Sequence, residues 1–175
     1  ISEDLSKLTV LQILDLHKNK LSGSIPSSIF YTIYFLSIDL ANNKFTGTIP
    51  DSLASQILLN VITFANNKLT GTISNLFGKM LSLNSLSLEV NKLTGTIPSN
   101  IAGAALTHLS ISKNKLQGSI PPHICDGSLS QLLFDSNTDI GCYASCSLSK
   151  LSSYDISYYS RMLTTPRNLT VVHIS

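Results

Sequence analysis

One pattern, clearest between Leu83 and Pro98 as LNSLSLEVNKLTGTIP, decides most of what this chain can fold into. It reads L-x-x-L-x-L-x-x-N-x-L-x-G-x-I-P. A short strand comes first, with Leu86 and Leu88 pointing one way and Ser85, Ser87 and Glu89 the other, because successive strand side chains alternate between faces. An Asn, a turn and a second extended piece ending in Ile-Pro follow. A unit this small cannot bury its own leucines and needs neighbours of the same kind. The template also fits Leu11 to Pro26, Phe35 to Pro50, Leu59 to Ser74 and Leu106 to Pro121, and a decayed copy begins at Leu129. Asn19, Asn43, Asn67, Asn91, Asn114 and Asn137 step by 24, 24, 24, 23 and 23 residues. A repeat this regular stacks into a solenoid with one elongated core.

In the strand segments Leu14 and Leu16, Ile38 and Leu40, Ile62 and Phe64, Leu86 and Leu88, Leu109 and Ile111, and Leu132 and Phe134 face the interior. Stacked strands lie about 4.8 Å apart, so each repeat position becomes a ladder along the solenoid. The Asn amide donates to and accepts from backbone groups left unpaired where the chain leaves the sheet. Gly23, Gly47, Gly71, Gly95 and Gly118 permit a close approach of coils or a backbone angle other residues avoid. Proline after Ile suits the end of the extended piece, and Ser74 replaces it in one copy at small expected cost. In the decayed copy Asp139 falls where a core leucine belongs, and a buried charge there would be costly. Ile140 is expected to slide into the vacant place.

With its L-x-G-x-I-P extension, carried by Leu21, Gly23, Ile25 and Pro26 and again by Leu93, Gly95, Ile97 and Pro98, the chain resembles the plant-type leucine-rich repeat. The resemblance covers about four fifths of the chain. It implies an α/β solenoid: a right-handed superhelix with a parallel concave β-sheet and a convex side of short helical, 3-10 or irregular segments. Residues 1–146 are the expected solenoid, with a partial repeat at 1–10, five full repeats and the decayed sixth from 129. Residues 147–175 are the expected C-terminal cap and tail. Ile1-Ser2-Glu3-Asp4-Leu5 aligns with Ile25-Pro26-Ser27-Ser28-Ile29, so the chain starts inside a repeat and further residues are expected upstream.

Charged residues make up 13% of the 175 and the net charge is +2, with the basic residues scattered, which argues against a nucleic-acid binder. There is no run of about 18 apolar residues able to span a bilayer. Cys142 and Cys146 flank Tyr143-Ala144-Ser145; the resembling families often close the last repeat with a cysteine pair, and Cys125 bonded to one of the two is the competing arrangement. Cysteine pairing favours an oxidising compartment, extracellular or lumenal. The single glycosylation sequon is Asn168-Leu169-Thr170.

Candidate chemistry is sparse. His17 and His108 point outward but lie four repeats apart, about 19 Å at the strand spacing, so they cannot share a metal. Asp15 and Asp39 occupy neighbouring rungs, yet no nucleophile or closed pocket accompanies them, and no enzyme, cofactor or metal site is expected. The outward columns read Ile13, Ser37, Val61, Ser85, His108 and Gln131; Asp15, Asp39, Thr63, Ser87, Ser110 and Leu133; and His17, Ala41, Ala65, Glu89, Ser112 and Asp135. The resemblance implies protein or peptide binding on this face, with Asp15, His17, Asp39, Thr63, Ser87, Glu89, His108, Ser110, Lys113 and Asp135 as the candidate contacts. A structural subunit of a larger assembly, held by a neighbouring subunit, is the alternative. Ice binding through Thr46-Gly47-Thr48, Thr70-Gly71-Thr72 and Thr94-Gly95-Thr96 is a further one. Lys20, Lys44, Lys68, Lys92 and Lys115, each following its Asn, form another ladder.

Overall fold

A computed structural model describes residues 1–32, 34–101, 105–122, 124, 129–134, 136, 137 and 139–141. The alternating segments become strands β1 (Ile13–Asp15), β3 (Ser37–Asp39), β5 (Val61–Thr63), β6 (Ser85–Ser87), β8 (His108–Ser110) and β10 (Gln131–Leu133), one per coil. They pair in that order as a six-stranded parallel sheet. The register advances by one whole repeat at each step, Leu14 facing Ile38, Ile62, Leu86, Leu109 and Leu132 in turn. Each inward residue therefore lands on its own counterpart, and the leucine and isoleucine columns merge into one continuous core.

Within a coil the inward positions are closed from water. Leu59, Ile62, Phe64 and Leu69 are fully buried, and Ile73 and Phe77 nearly so. Each contributes about 1.5–3 kcal/mol on burial. Phe30 and Phe35 meet edge-on with ring centroids 6.2 Å apart. The opposite side of the coils carries 3-10 turns at Glu3–Lys7, Asp51–Ser55 and Asn75–Lys79 and one turn of α-helix, α1 (Ile29–Thr32). Ser74 takes the backbone angle that Pro50 takes in the coil before, φ −68° against −66°, and its Oγ accepts from the Leu76 N–H. The missing proline is thus replaced by a helical cap.

The asparagines hold adjacent coils together. Asn67 Nδ2 donates to the carbonyls of Phe64 and Ala65 in its own coil and of Leu40 in the preceding one, while Oδ1 accepts from Phe45 N–H at 3.0 Å. Asn43, Asn91 and Asn114 repeat the arrangement, each reaching one coil back. The residue before each Asn is left-handed: Lys18, Asn42, Asn66, Val90, Lys113 and Ser136 have φ between 52° and 58°. That angle is unremarkable for Asn and strained for a β-branched side chain.

After the Asn a second, shorter set of strands forms. β2 (Ser22–Gly23) pairs with β4 (Lys44–Phe45), and β7 (Thr94–Gly95) with β9 (Lys115–Ser119) and β11 (Asp139–Gly141). Single bridges Thr48 to Thr70 and Thr72 to Thr94 continue the ladder between them. Gly71 and Gly95 are required here twice over. Their φ is 80°, and a Cβ would come within 2.7 Å and 2.8 Å of the Thr48 and Thr72 methyls. In the last coil Ile140 pairs with Gly118 as Leu116 pairs with Gly95, so the chain has moved by one residue and Ile140 takes the leucine position. It is partly buried against the core. Cys125, Cys142, Cys146, His123, Asp135, Asn168 and the segment 147–175 lie outside the described residues.

Replacing Asn67 by Ala should lower unfolding stability by about 1–3 kcal/mol, measured by urea denaturation, because it strands the Phe45 N–H and takes one of their donors from the Leu40, Phe64 and Ala65 carbonyls. Val90→Asn should raise stability by about 1 kcal/mol by relieving the left-handed strain. An unchanged midpoint for either variant would show that the turn bears no such constraint.

Candidate functional site

The outward face of the six-stranded sheet presents one row of side chains per coil on a backbone held by strand pairing. Two of its columns stand in the expected register: Ile13, Ser37, Val61, Ser85, His108 and Gln131, then Asp15, Asp39, Thr63, Ser87, Ser110 and Leu133. The third column departs from expectation. Ala41 and Ala65 are buried, and Ser112 is buried with no partner for its Oγ among the described residues. The chain is already curling towards the Asn turn at this position, which draws small side chains beneath it. His17 and Glu89 are long enough to stay accessible. Lys113 stands on the left-handed turn residue beyond β8 rather than on the sheet.

The candidate contacts gather into two groups. At the β1 edge, Asp15, His17 and Asp39 bring one ligand atom each to within 4.8 Å of one another. His17 Nδ1 lies 2.5 Å from Asp15 Oδ1, and the same oxygen accepts the His17 N–H at 3.1 Å. Asp39 Oδ1 accepts the Ala41 N–H at 2.8 Å. Each aspartate thus closes its own turn through Oδ1, and among the described residues Oδ2 has no partner. One imidazole and two carboxylates could hold a cation, but their turn-closing bonds already give the aspartates a structural role. Pairing the histidines with each other hid this trio; an aspartate two residues before a histidine, with a second aspartate one period later, was the signal.

The second group lies on the later strands. Ser110 Oγ donates to Glu89 Oε2 at 2.7 Å, and His108 Nδ1 sits 2.7 Å from Thr107 Oγ1. In the second column Thr63 and Ser87, both half-buried and uncharged, stand between Asp39 and Ser110. Sequence reasoning also missed Gln56, buried on the far side. Its Oε1 accepts from Phe35 N–H at 2.9 Å and its Nε2 donates to the Phe30 carbonyl at 2.7 Å, which ties two coils together.

The His17 ring and backbone N–H hold the Asp15 carboxyl below its ordinary value. A depressed carboxylate contributes stability above the unfolded-state value and loses it as pH falls through the lowered one. A carbon NMR titration should place the Asp15 midpoint below 3.8 and return it towards that value in His17→Ala. A midpoint indifferent to His17 would show that the pair does not form.

The family model described as Leucine Rich Repeat matches residues 10–31, 35–56, 82–104 and 105–126, just over half of the chain. The structure of the plant peptide hormone receptor RGFR1 in complex with RGF2 is similar at 38% identity and TM-score 0.76 over 78% of this chain and 22% of that one. The Arabidopsis receptor kinase HAESA, in complex with the peptide hormone IDA and the co-receptor SERK1, is similar at 31% identity and TM-score 0.74, over 78% and 23%. The BIR2 ectodomain from Arabidopsis thaliana is similar at 31% identity and TM-score 0.69, over 79% and 71%. The chain thus spans about a fifth of the first two receptors' length. A comparison with curated proteins finds no match. Among the described residues no helix is long and apolar enough to cross a membrane. Repeat period, sheet register and family model converge: the chain belongs to the leucine-rich-repeat family, in the plant-type form whose units end in Ile-Pro.

Proposed function

We propose that this chain is a non-catalytic recognition module that binds a peptide or an extended protein segment across the outward face of its sheet. The observation that carries the reading is the arrangement of that face. The short side chains Val61, Thr63, Ser85 and Ser87, register-locked on β5 and β6, lie between the Asp15–His17–Asp39 group and the Glu89–Ser110 and His108 group. Short side chains leave room for a ligand backbone, and the charged groups at either end can fix its direction and register. The similarity to RGFR1 in complex with RGF2, and to HAESA in complex with the peptide hormone IDA, supports a peptide ligand. It also supports a site of action outside the cell membrane, as part of a longer receptor. Asp135, the Cys142–Cys146 pair and a glycan on Asn168 belong to this reading as a further contact, a lock on the last coil and a surface modification.

A second reading, a subunit held in a larger assembly, draws on a different surface. Leu8, Val10, Tyr34, Ile57, Leu58 and Leu81 are exposed along the edge where the chain enters the sheet strands. An apolar strip of this kind marks a protein contact. The comparisons lend no support to ice binding, and the Thr48 and Thr72 methyls have a packing role over the glycines of the next coil.

The test is capture of partners from the native source, followed by the triple variant Asp15→Asn, Asp39→Asn, Glu89→Gln. The amide side chains keep the turn-closing acceptors, so the fold should persist. Loss of at least tenfold in affinity for the captured peptide is expected. If every partner stays bound and cross-links fall on Val10, Leu58 and Leu81 instead, the assembly reading replaces this one.

A further inference from the structure

Seven of the nine lysines among the described residues lie on a single edge of the solenoid, the turn that follows each sheet strand. Lys20, Lys44, Lys68, Lys92 and Lys115 stand one per coil, immediately after the Asn, and Lys18 and Lys113 occupy the left-handed residue before it in two coils. All seven are exposed. The file is held by the backbone itself. The N–H of Lys44 bonds the carbonyl of Leu21, the residue after Lys20, and Lys68, Lys92 and Lys115 bond Phe45, Leu69 and Leu93 in the same way, each at 2.8 Å. Each lysine's backbone is therefore tied to the coil before it, with Lys44 opposite Ser22 and Lys115 opposite Thr94, so the lysines recur once per coil with a constant stagger. No acid answers them: among the described residues the only lysine in an ion pair is Lys7, on the opposite side of the coil. Such a row of like charges costs the folded state some self-repulsion, and a bound polyanion would remove it.

We propose that this edge binds a linear anionic polysaccharide laid along the solenoid axis, its carboxylates or sulfates facing the lysines of successive coils. The single-file charge, one lysine after each Asn in five successive coils, fits a chain whose anionic groups also recur at a constant step. A compact acidic protein would meet such a row with a curved, irregular surface. Single-stranded nucleic acid is held by aromatic platforms beside the basic groove. None stands here, since the exposed tyrosines among the described residues are Tyr31 and Tyr34, elsewhere on the coil, and Phe45 is buried. The surface is separate from the outward sheet face, so either site can fail without the other.

The test uses the whole chain with oligogalacturonates of defined length, a sulfated heparin-type oligosaccharide and an oligothymidylate of equal charge, by titration calorimetry at several salt concentrations. Affinity for the oligogalacturonates or the sulfated chain should climb with length until the ligand spans five coils, and whichever binds more tightly names the source of the anionic groups. Lys44→Gln with Lys68→Gln should weaken binding about tenfold. The slope of log affinity against log salt should flatten by about 1.4, at 0.7 for each ammonium removed. Lys7→Gln with Lys79→Gln, an equal change in charge placed off the edge, should leave affinity within about twofold. Equal losses in the two double variants, affinity independent of length, or oligothymidylate binding as tightly as the saccharides would each overturn the proposal.

Discussion

The structure depends on one polar group placed where only apolar ones would be expected, the side-chain amide at the turn. A strand of three residues cannot end inside a protein without leaving carbonyls and N–H groups unpaired, and every unpaired one costs about 1–3 kcal/mol. Asn43, Asn67, Asn91 and Asn114 satisfy several at once, and by reaching one coil back they convert a local turn into a joint between coils. An aspartate in that place would lose the donors and bury a charge, and a leucine would lose everything. The amide also determines the spacing, because the joint closes only if the next Asn arrives one full coil later.

The remaining positions of the repeat follow from that joint. Entering it needs a left-handed residue, which the chain meets comfortably with Asn42 and Asn66 and less comfortably with Val90. Leaving it brings neighbouring coils so close that glycine is needed, and Thr48 and Thr72, whose methyls meet Gly71 and Gly95 of the next coil, owe their places to this contact. A regular threonine ladder on a repeat protein can thus be a packing device before it is a binding surface. The same reasoning covers Asp15 and Asp39, whose first task is to close the turns at His17 and Ala41. The recognition chemistry proposed for this protein is drawn from residues that already hold the coil together.

Three surfaces result, each with a different character. The sheet face is small and polar between two charged groups, the entry edge is apolar, and the edge beyond the Asn turns is uniformly cationic. They lie side by side around the same coil, so the proposed contacts to an extended ligand, a protein neighbour and a polyanion would not overlap. Similarity to receptor ectodomains that bind peptide hormones bears on the first of these surfaces. The other two rest on the distribution of side chains in this chain.

Most of the fold was legible in the residues themselves, because a 23- or 24-residue period with fixed leucines leaves one way to stack. The strand alternation, the two outward columns, the role of the Asn and even the shift that brings Ile140 to the leucine position follow from pattern and elementary sterics. What pattern could not supply was the third dimension at the ends of the strands. Ala41, Ala65 and Ser112 read as outward by alternation and are buried, because the chain leaves the sheet plane before they are reached. The second strand ladder, with its two-residue stagger, depends on how far each coil leans on the last. The meeting of Asp15, His17 and Asp39 required both a register and a side-chain direction. Periodicity determines which residues share a column; only the folded coil decides how a column bends, and so which of its members reach the solvent together.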